Sequence, residues 1–296
     1  MLAAQKIERV ASGLGWPEGP TFLPDGRLAF VETYRSRLSV LSPSGTVDLL
    51  CDVGGGPNAV LAGADGCLYV TQNGGVIGPW RAARRMPPSI QRVSGDGNVE
   101  ILAASADGRP LLAPNDLAFG PDGWLYFTDP GGPYDPVGKS NPGFICALRP
   151  DGSATILEEL PPVYPNGIAV EADGSVVWVE SYTRAVRRRR SAGGVETVCI
   201  LPEPAVPDGF KIAANGDFYI TGVDSGGVEI VSRDGRYLGR IAVGAIPTNC
   251  IISPGRIHVT DGGHPGLTEN PELAGALWRV EIEDIAPQGL FEGKIL

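Results

Sequence analysis

A short motif of proline followed by a polar residue recurs six times along the chain and limits the possible folds more than any other feature. Its copies begin at Pro17, Pro57, Pro114, Pro165, Pro207 and Pro247. In the first five, an Asp-Gly or Asn-Gly pair follows eight residues after the proline and leads into an apolar run. Such a pair is a strong hairpin signal because the turn needs a positive φ, which glycine adopts without steric cost. Each repeat is therefore predicted to open with two antiparallel strands.

The spacing of the repeats predicts the architecture. Successive prolines stand 40 to 57 residues apart, a period typical of propellers and solenoids, and most repeats contain a second turn signal. Four strands per repeat make a propeller blade, so residues 1–296 are predicted to form one six-bladed, all-β propeller domain. The sixth repeat lacks an outer strand of its own. We predict that the segment from Ile7 to Val10 supplies it and closes the ring.

The charge and hydropathy of the chain limit the kinds of partner it can bind. A net charge of −10 opposes nonspecific binding to nucleic acid, so a small-molecule ligand is expected. The run Arg187 to Arg190 is interpreted as the solvated edge of an outer strand. The amino terminus lacks the apolar core of a signal peptide and no stretch is long enough to span a bilayer, so a cytoplasmic protein without membrane contact is expected. Oligomeric state is left open.

The five cysteines are scattered and never form a Cys-x-x-Cys pair, which favours neither a disulfide framework nor a cysteine metal site. They are interpreted as small buried apolar residues.

The repeat also predicts a site. If the first strand of every blade lines the channel, the residues that follow the prolines lie together at one mouth. All of them carry side-chain oxygens: Glu18, Asn58, Asn115, Asn166, Asp208 and Thr248. Calcium takes six to eight oxygen ligands, whereas structural zinc prefers cysteine and histidine. Because the chain has only two histidines, one divalent ion is expected, calcium first, with zinc, magnesium and manganese as alternatives.

The loops that follow the second strands would face the same mouth. Three are long, from Gly74 to Ser89, from Pro130 to Gly143 and from Gly262 to Gly275. Long loops on one face usually carry function. Trp80 in the first of them is predicted to contact the substrate, together with Asn58 and Asn115.

Several motifs resemble the gluconolactonase, regucalcin and luciferin-regenerating family of six-bladed propellers, with bacterial gluconolactonases most similar in pattern. They are Trp16-Pro17-Glu18-Gly19-Pro20, Pro114-Asn115-Asp116-Leu117, Tyr126-Phe127-Thr128-Asp129-Pro130, Pro165-Asn166-Gly167 and Pro207-Asp208-Gly209.

The resemblance implies a divalent metal bound by Glu18, Asn166 and Asp208, with Asn115 beside the metal and the substrate. Regucalcin-like members hold substrate with an arginine two residues before that asparagine, where this chain has Ala113.

The leading hypothesis is a metal-dependent lactonase in which Asp208 binds the metal and takes a proton from the attacking water. A carboxylate bound to a dication is a weaker base, so Asp116 is an alternative for that role. A phosphotriesterase or aryl esterase on the same metal, and a calcium-binding propeller without turnover, are the competing hypotheses.

Overall fold

A computed structural model of the chain describes residues 6–75, 82–264, 271–289, 291 and 293–295. These ranges are almost entirely β-structure, apart from turns and two three-residue 3₁₀ segments, Thr33–Arg35 and Pro271–Leu273. Six four-stranded antiparallel sheets form the blades of a propeller, which confirms the predicted fold. Within the described ranges, no helix has the length and apolar character needed to cross a bilayer.

In the first three blades the strands follow one another from the channel outward in chain order. Blade one contains β2 (Pro17–Phe22), β3 (Leu28–Glu32), β4 (Arg37–Leu41) and β5 (Val47–Asp52). Blade two contains β6 (Pro57–Ala62), β7 (Leu68–Gln72), β8 (Ser89–Val93) and β9 (Val99–Ala103). Blade three contains β12 (Leu117–Phe119), β13 (Leu125–Asp129), β14 (Gly143–Leu148) and β15 (Ala154–Leu160).

The last three blades repeat this order, except that the outer strand of blade six comes from the start of the chain. Blade four contains β16 (Pro165–Val170), β17 (Val176–Glu180), β18 (Ala185–Arg189) and β19 (Val195–Ile200). Blade five contains β20 (Pro207–Ile212), β21 (Phe218–Gly222), β22 (Gly227–Val231) and β23 (Tyr237–Ala242). Blade six contains β24 (Pro247–Ser253), β25 (Arg256–Asp261), β26 (Gly275–Glu281) and β1 (Lys6–Leu14).

Ring closure occurs as predicted. Strand β1 pairs antiparallel with β26, with Ile7 opposite Val280 and Arg9 opposite Trp278. The first and last described strands thus belong to one sheet, and β26 does not present an unpaired edge.

The hairpin turns inside each blade also follow the sequence signal. Gly26 and Gly174 have φ values of 83° and 82° at the turns after β2 and β16. A residue with a Cβ would be strained there, which explains the repeated Asp-Gly pair.

The second blade departs from the simple repeat. A short hairpin is inserted between β9 and blade three, and the sequence pattern did not predict it. Its two strands, β10 (Ser105–Ala106) and β11 (Arg109–Pro110), have two residues each. This insertion and the loop after β7 account for the longest spacing between the prolines.

The arginine run lies in blade four away from the axis, as predicted, but it is less exposed to solvent than the prediction had it. Arg187 to Arg189 lie on β18, the third strand of blade four, and Arg188 is only 7% exposed. The Arg188 guanidinium lies 2.8 Å from Glu171 and 3.0 Å from Glu196, both in blade four, and donates to the Arg233 carbonyl of blade five at 2.8 Å. Burial without these carboxylates would be costly, so the run is partly an internal ion-pair network and not simply a solvated edge.

All five cysteines are free, and Cys51, Cys146 and Cys250 are buried as predicted. Cys67, at the turn before β7, and Cys199, on the outer strand of blade four, are only partly buried.

Candidate active site

The predicted site residues lie where the first strand of each blade is locally irregular. In five blades the pairing between the first and second strands slips by a residue just after the proline. In blade three, Asn115 and Asp116 both bond to the backbone of Thr128, which gives the same two-against-one arrangement. A bulge bends a strand and re-aims its side chains, and bulges are common beside active sites. Because each bulge follows the start of an inner strand, the six bulges lie at the same mouth of the channel.

Three carboxylates from different blades approach one another at this mouth: Glu18, Asp116 and Asp208. The Asn249 amide joins two of them, since its Nδ2 lies 3.1 Å from Oε2 of Glu18 and 3.5 Å from Oδ2 of Asp116. Glu18 and Asp116 are 3% and 2% exposed, whereas Asp208 is partly exposed. The cluster spans the channel and leaves Asp208 nearest to solvent.

The charges in this cluster repel one another. Burial raises the pKa of Glu18 well above its ordinary value, and the nearby carboxylates of Asp208 and Asp116 raise it further. Burial also raises the pKa of Asp208; the Asn166 amide opposes this change, and Asp116 adds to it. No basic side chain contributes to either pKa shift among the described residues. A bound cation would relieve both costs.

The donor set fits a hard divalent cation. Every predicted ligand atom on Glu18, Asn166 and Asp208 is an oxygen, which suits calcium or magnesium better than a thiolate-preferring ion. In the described ranges, no three His, Cys, Asp or Glu side chains converge closely enough to form a metal group by themselves. The predicted set does not require one, because its third member is a carboxamide.

The three asparagines occupy equivalent places on the ring. Asn58, Asn115 and Asn166 are 5%, 4% and 7% exposed, and each follows the proline of its blade. The Nδ2 of Asn166 donates to Ser181 Oγ at 3.1 Å, which turns its carbonyl oxygen away from the serine.

Blade six departs from the predicted ring. The Thr248 hydroxyl donates to the Pro17 carbonyl at 2.7 Å and lies 2.8 Å from Thr260 Oγ1, so it serves the frame rather than the site. The bulge at Thr248 turns the next residue, Asn249, toward the carboxylates. Sequence alignment on the proline missed this residue by one position.

Asp116 is tied into the frame. Its carboxylate accepts the backbone N–H of Leu117 at 2.9 Å and lies 3.4 Å from that of Ile168, in the next blade. These contacts fix its orientation and join blades three and four.

A ring of hydroxyl groups also holds the mouth together. In every blade a Thr or Ser hydroxyl donates to a backbone carbonyl at the start of the next blade. The pairs are Thr33 to Pro57, Thr71 to Asn115, Thr128 to Asn166, Ser181 to Pro207, Thr221 to Thr248 and Thr248 to Pro17, at 2.5 to 2.9 Å. The sequence could have revealed this ring, because most of the donors are a Thr or Ser next to the last residue of a second strand.

The glycines of the motifs have a packing role. A Cβ on Gly167 would lie 2.6 Å from the Asp208 carbonyl, and one on Gly209 would lie 2.1 Å from the Asn249 side chain. Neighbouring blades therefore approach within contact distance only because these positions lack a side chain.

A group of tyrosines lies near Asp208. Burial raises the pKa of Tyr134 and Tyr164, and the charge of Asp208 helps to raise it further. Tyr134, Tyr164 and Tyr182 pack with ring centroids 5.1 to 5.3 Å apart, and Tyr134 comes from the long loop after β13. Tyr134 and Tyr182 border a cavity of about 540 Å³, which also contacts Ser181 and Lys139. This volume is typical of a small-molecule site. Trp80, the predicted loop contact, lies outside the described residues.

The comparisons with known proteins agree with this architecture. The model of the SMP-30/gluconolactonase/LRE-like family matches residues 16–259. The chain belongs to this family. This confirms the resemblance found in the motifs.

Individual relatives are distant but cover most of the chain. A gluconolactonase of Zymomonas mobilis is 25% identical over 272 residues, covering 80% of this chain and 72% of that protein. A solved gluconolactonase of Xanthomonas campestris superposes with a TM-score of 0.73 at 23% identity, covering 93% and 89% of the two chains. The calcium-binding protein regucalcin of Agrobacterium tumefaciens gives 0.76 at 20% identity, covering 97% and 96%. At these identities the solved structures support the fold.

Proposed function

We propose that this family member is a lactonase that opens a small lactone by attack of water at the carboxylate mouth of the channel. The observation that carries the proposal is the buried cluster of Glu18, Asp116 and Asp208, whose mutual repulsion has no basic counterpart among the described residues. Such a cluster is costly to fold and is typical of a site that binds a cation for chemistry. The Zymomonas gluconolactonase supports the choice of reaction.

Glu18, Asn166 and Asp208 are the proposed ligands of one divalent ion, with calcium the first candidate, as the regucalcin relative suggests. When bound, such an ion polarises a lactone carbonyl and stabilises the developing oxyanion by several kcal/mol. The raised pKa values of Glu18 and Asp208 mean that the chain itself resists two negative charges there. A nearby positive charge would therefore stabilise the ionised form of both carboxylates.

Asp208 is the proposed general base. It is the most exposed of the three carboxylates, so water can reach it more easily than it reaches Glu18 or Asp116. Asp116 is the alternative base of the sequence hypothesis. Its oxygens face backbone N–H groups of two blades, so we assign it instead to positioning the frame.

Asn115 and Asn58 are the proposed substrate contacts on the ring. Both are neutral amides at the mouth, so they bind a metal ion less strongly than the carboxylates do and can hydrogen-bond to substrate. Trp80 remains a candidate contact. Ala113, fully buried, offers no guanidinium where regucalcin-like proteins have an arginine. We therefore place substrate selection in the cavity bordered by Tyr134 and Tyr182.

The test is a hydrolysis screen of sugar and aliphatic lactones, aryl esters and phosphotriesters by pH indicator, with calcium, magnesium, manganese and zinc supplied in turn. Lactone turnover that disappears on chelation while the fold persists would support the proposal. Turnover of only aryl esters or phosphotriesters would favour the alternative hydrolase. Metal-dependent melting without any turnover would favour the calcium-binding alternative.

Two asparagine variants sharpen the assignment. Asn166→Ala should weaken metal binding, whereas Asn115→Ala should spare the metal and lower kcat, since an amide that contacts only substrate cannot affect affinity for the ion. Equal metal loss in both variants would contradict the division of roles.

A further inference from the structure

A cleft of about 630 Å³ lies between blade six and blade one, beside the strand pairing that closes the ring. It is formed by the outer part of blade six and by the turns of blade one, away from the carboxylate mouth. Its polar and charged lining includes Arg27, Arg256, Arg279, His258, Ser42, Ser44 and Ser253. We refer to the cavity that these seven residues line as the seam cleft.

The seam cleft is basic although the protein carries a net charge of −10. Arg279 pairs with Glu8 at 2.7 Å, and Glu8 is the only carboxylate among the described lining residues. Arg27 pairs with Asp25, which is exposed. Within the described chain Arg256 has no ion-pair partner, even though Glu281 lies opposite it in the sheet. The cleft thus keeps uncompensated positive charge in an otherwise acidic molecule.

His258 adds an unsatisfied polar atom to this wall. Its ring packs edge-on against Phe22, with centroids 5.6 Å apart, and it lies opposite Arg279 across the strands. Its Nδ1 is buried and has no hydrogen-bond partner among the described residues. Burial, followed by the charges of Arg256 and Arg279, lowers the pKa of His258 to about 4. An acceptor bound in the cleft would pair with the Arg256 guanidinium, which has no ion-pair partner within the described chain.

The opposite wall offers hydroxyl groups. Ser42 and Ser44 lie on the turn between β4 and β5, with their oxygens 2.7 Å apart, and the turn is exposed. Both walls therefore supply arginine and serine side chains, the combination that proteins use for phosphate and sulfate groups.

We propose that the seam cleft binds a tetrahedral oxyanion, carried by a small phosphorylated metabolite or present as a free ion. The volume is far larger than one inorganic ion needs and lies in the range of small-molecule sites. The ligand would contact blade six, which includes the N-terminal strand, and blade one at once. Binding would therefore stabilise ring closure.

The test uses the two histidines as reporters, because the chain has only His258 and His264. Histidine ring signals are followed by NMR while sulfate replaces chloride at constant ionic strength. We expect a saturable shift of His258, and no such shift of His264, which lies apart from the seam cleft. Arg256→Gln should weaken sulfate binding by at least about 10-fold, since it removes a charged hydrogen-bond donor.

The matched control is Arg236→Gln, which removes an exposed arginine from a turn of blade five and should leave the affinity unchanged. Ser44→Ala is a second, milder variant that should weaken binding without altering charge. Thermal melts establish that each variant is folded. An equal loss of affinity in Arg236→Gln, or a His258 shift without saturation, would show only general charge screening and overturn the proposal.

A second titration distinguishes the sources of the oxyanion. Glucose 6-phosphate that binds more tightly than sulfate, with the same dependence on Arg256, identifies a phosphorylated metabolite. Equal affinities identify the free anion.

Discussion

The two ends of the channel are built from the same six inner strands and have opposite chemistry. At the carboxylate mouth the strands begin with Glu18, Asn166, Asp208 and their equivalents. At the far end the same strands finish around an apolar chamber of about 210 Å³, lined by residues such as Ile168, Ile212 and Ile252. One strand therefore supplies a costly polar group at its start and a stabilising apolar group a few residues later.

The far end is also closed by the chain itself. Residues 285–289, 291 and 293–295 form a C-terminal strap across it. Gln288 donates its backbone N–H to Ile212 at 3.0 Å and its amide to Val170 at 2.9 Å, and Ile295 donates its N–H to the Tyr69 hydroxyl at 2.9 Å. The C-terminal residues are thus bonded to inner strands at the far end, away from the carboxylate mouth. The difference predicts that substitutions at the two ends have opposite effects.

The largest effect is expected at the mouth. Glu18→Gln and Asp208→Asn should each lose the metal and lower lactone turnover by at least about 100-fold, because each removes half the charge that binds the ion. The same variants should raise the melting temperature of the metal-free protein, since they remove buried repulsion.

Metal content by mass spectrometry, turnover and thermal melts check both parts. Asp48→Asn, which neutralises an exposed carboxylate, is the control and should change neither quantity. Full activity and stoichiometric metal in both mouth variants would place the site elsewhere.

Substitution in the C-terminal strap should have the opposite effect, lowering stability without loss of metal or turnover. Ile295 is 1% exposed and packs with the core of blades two and three. Ile295→Ala should lower the free energy of unfolding by about 2 kcal/mol, from lost burial and the cavity left behind. Metal content and turnover of the folded protein should stay unchanged. Urea unfolding with a parallel metal assay tests this, and a loss of metal below the unfolding transition would show that the two ends are coupled.

A smaller effect is expected from the hydroxyl ring at the mouth. The Thr128 hydroxyl donates to the Asn166 carbonyl and lies 3.1 Å from the Asp116 N–H. Thr128→Val should cost about 1 kcal/mol of stability and lower kcat about 10-fold through displaced site residues. Thr46→Val, at an exposed turn, is the control. Unchanged kcat with reduced stability would limit the ring to a structural role.

The smallest effect concerns His258, which packs on Phe22 beside the chamber. Its pKa falls from an ordinary value of 6.5 to about 4 in the folded protein, so the unfolded chain binds more protons between these values. This histidine therefore costs stability as pH falls from 6.5 toward 4. His258→Gln should make the loss of stability over that interval less steep in urea unfolding at several pH values. His264→Gln is the control, and an identical slope in the His258 variant and the wild type would contradict the assignment.

The sequence by itself determined the propeller, because hairpin signals and strand patterns are local and recur with one period. The repeats fixed the number of blades, and the missing outer strand of the sixth pointed to the segment at Ile7 to Val10. Alignment on the prolines also placed Glu18, Asn58, Asn115, Asn166 and Asp208 at equivalent starts of blades.

Tertiary structure decided which side chains meet. A bulge shifts pairing by one residue, so Asn249 and not Thr248 faces the carboxylates, and no spacing in the sequence shows this. Asn249 and Asp116 are 133 residues apart, and their approach depends on closing the ring. Tyr134 comes from a long loop, and Arg188 is buried where Glu171 of its own blade and the Arg233 carbonyl of blade five meet its guanidinium. Strands and turns follow from local preferences, whereas these contacts depend on how blades pack, which no single repeat encodes.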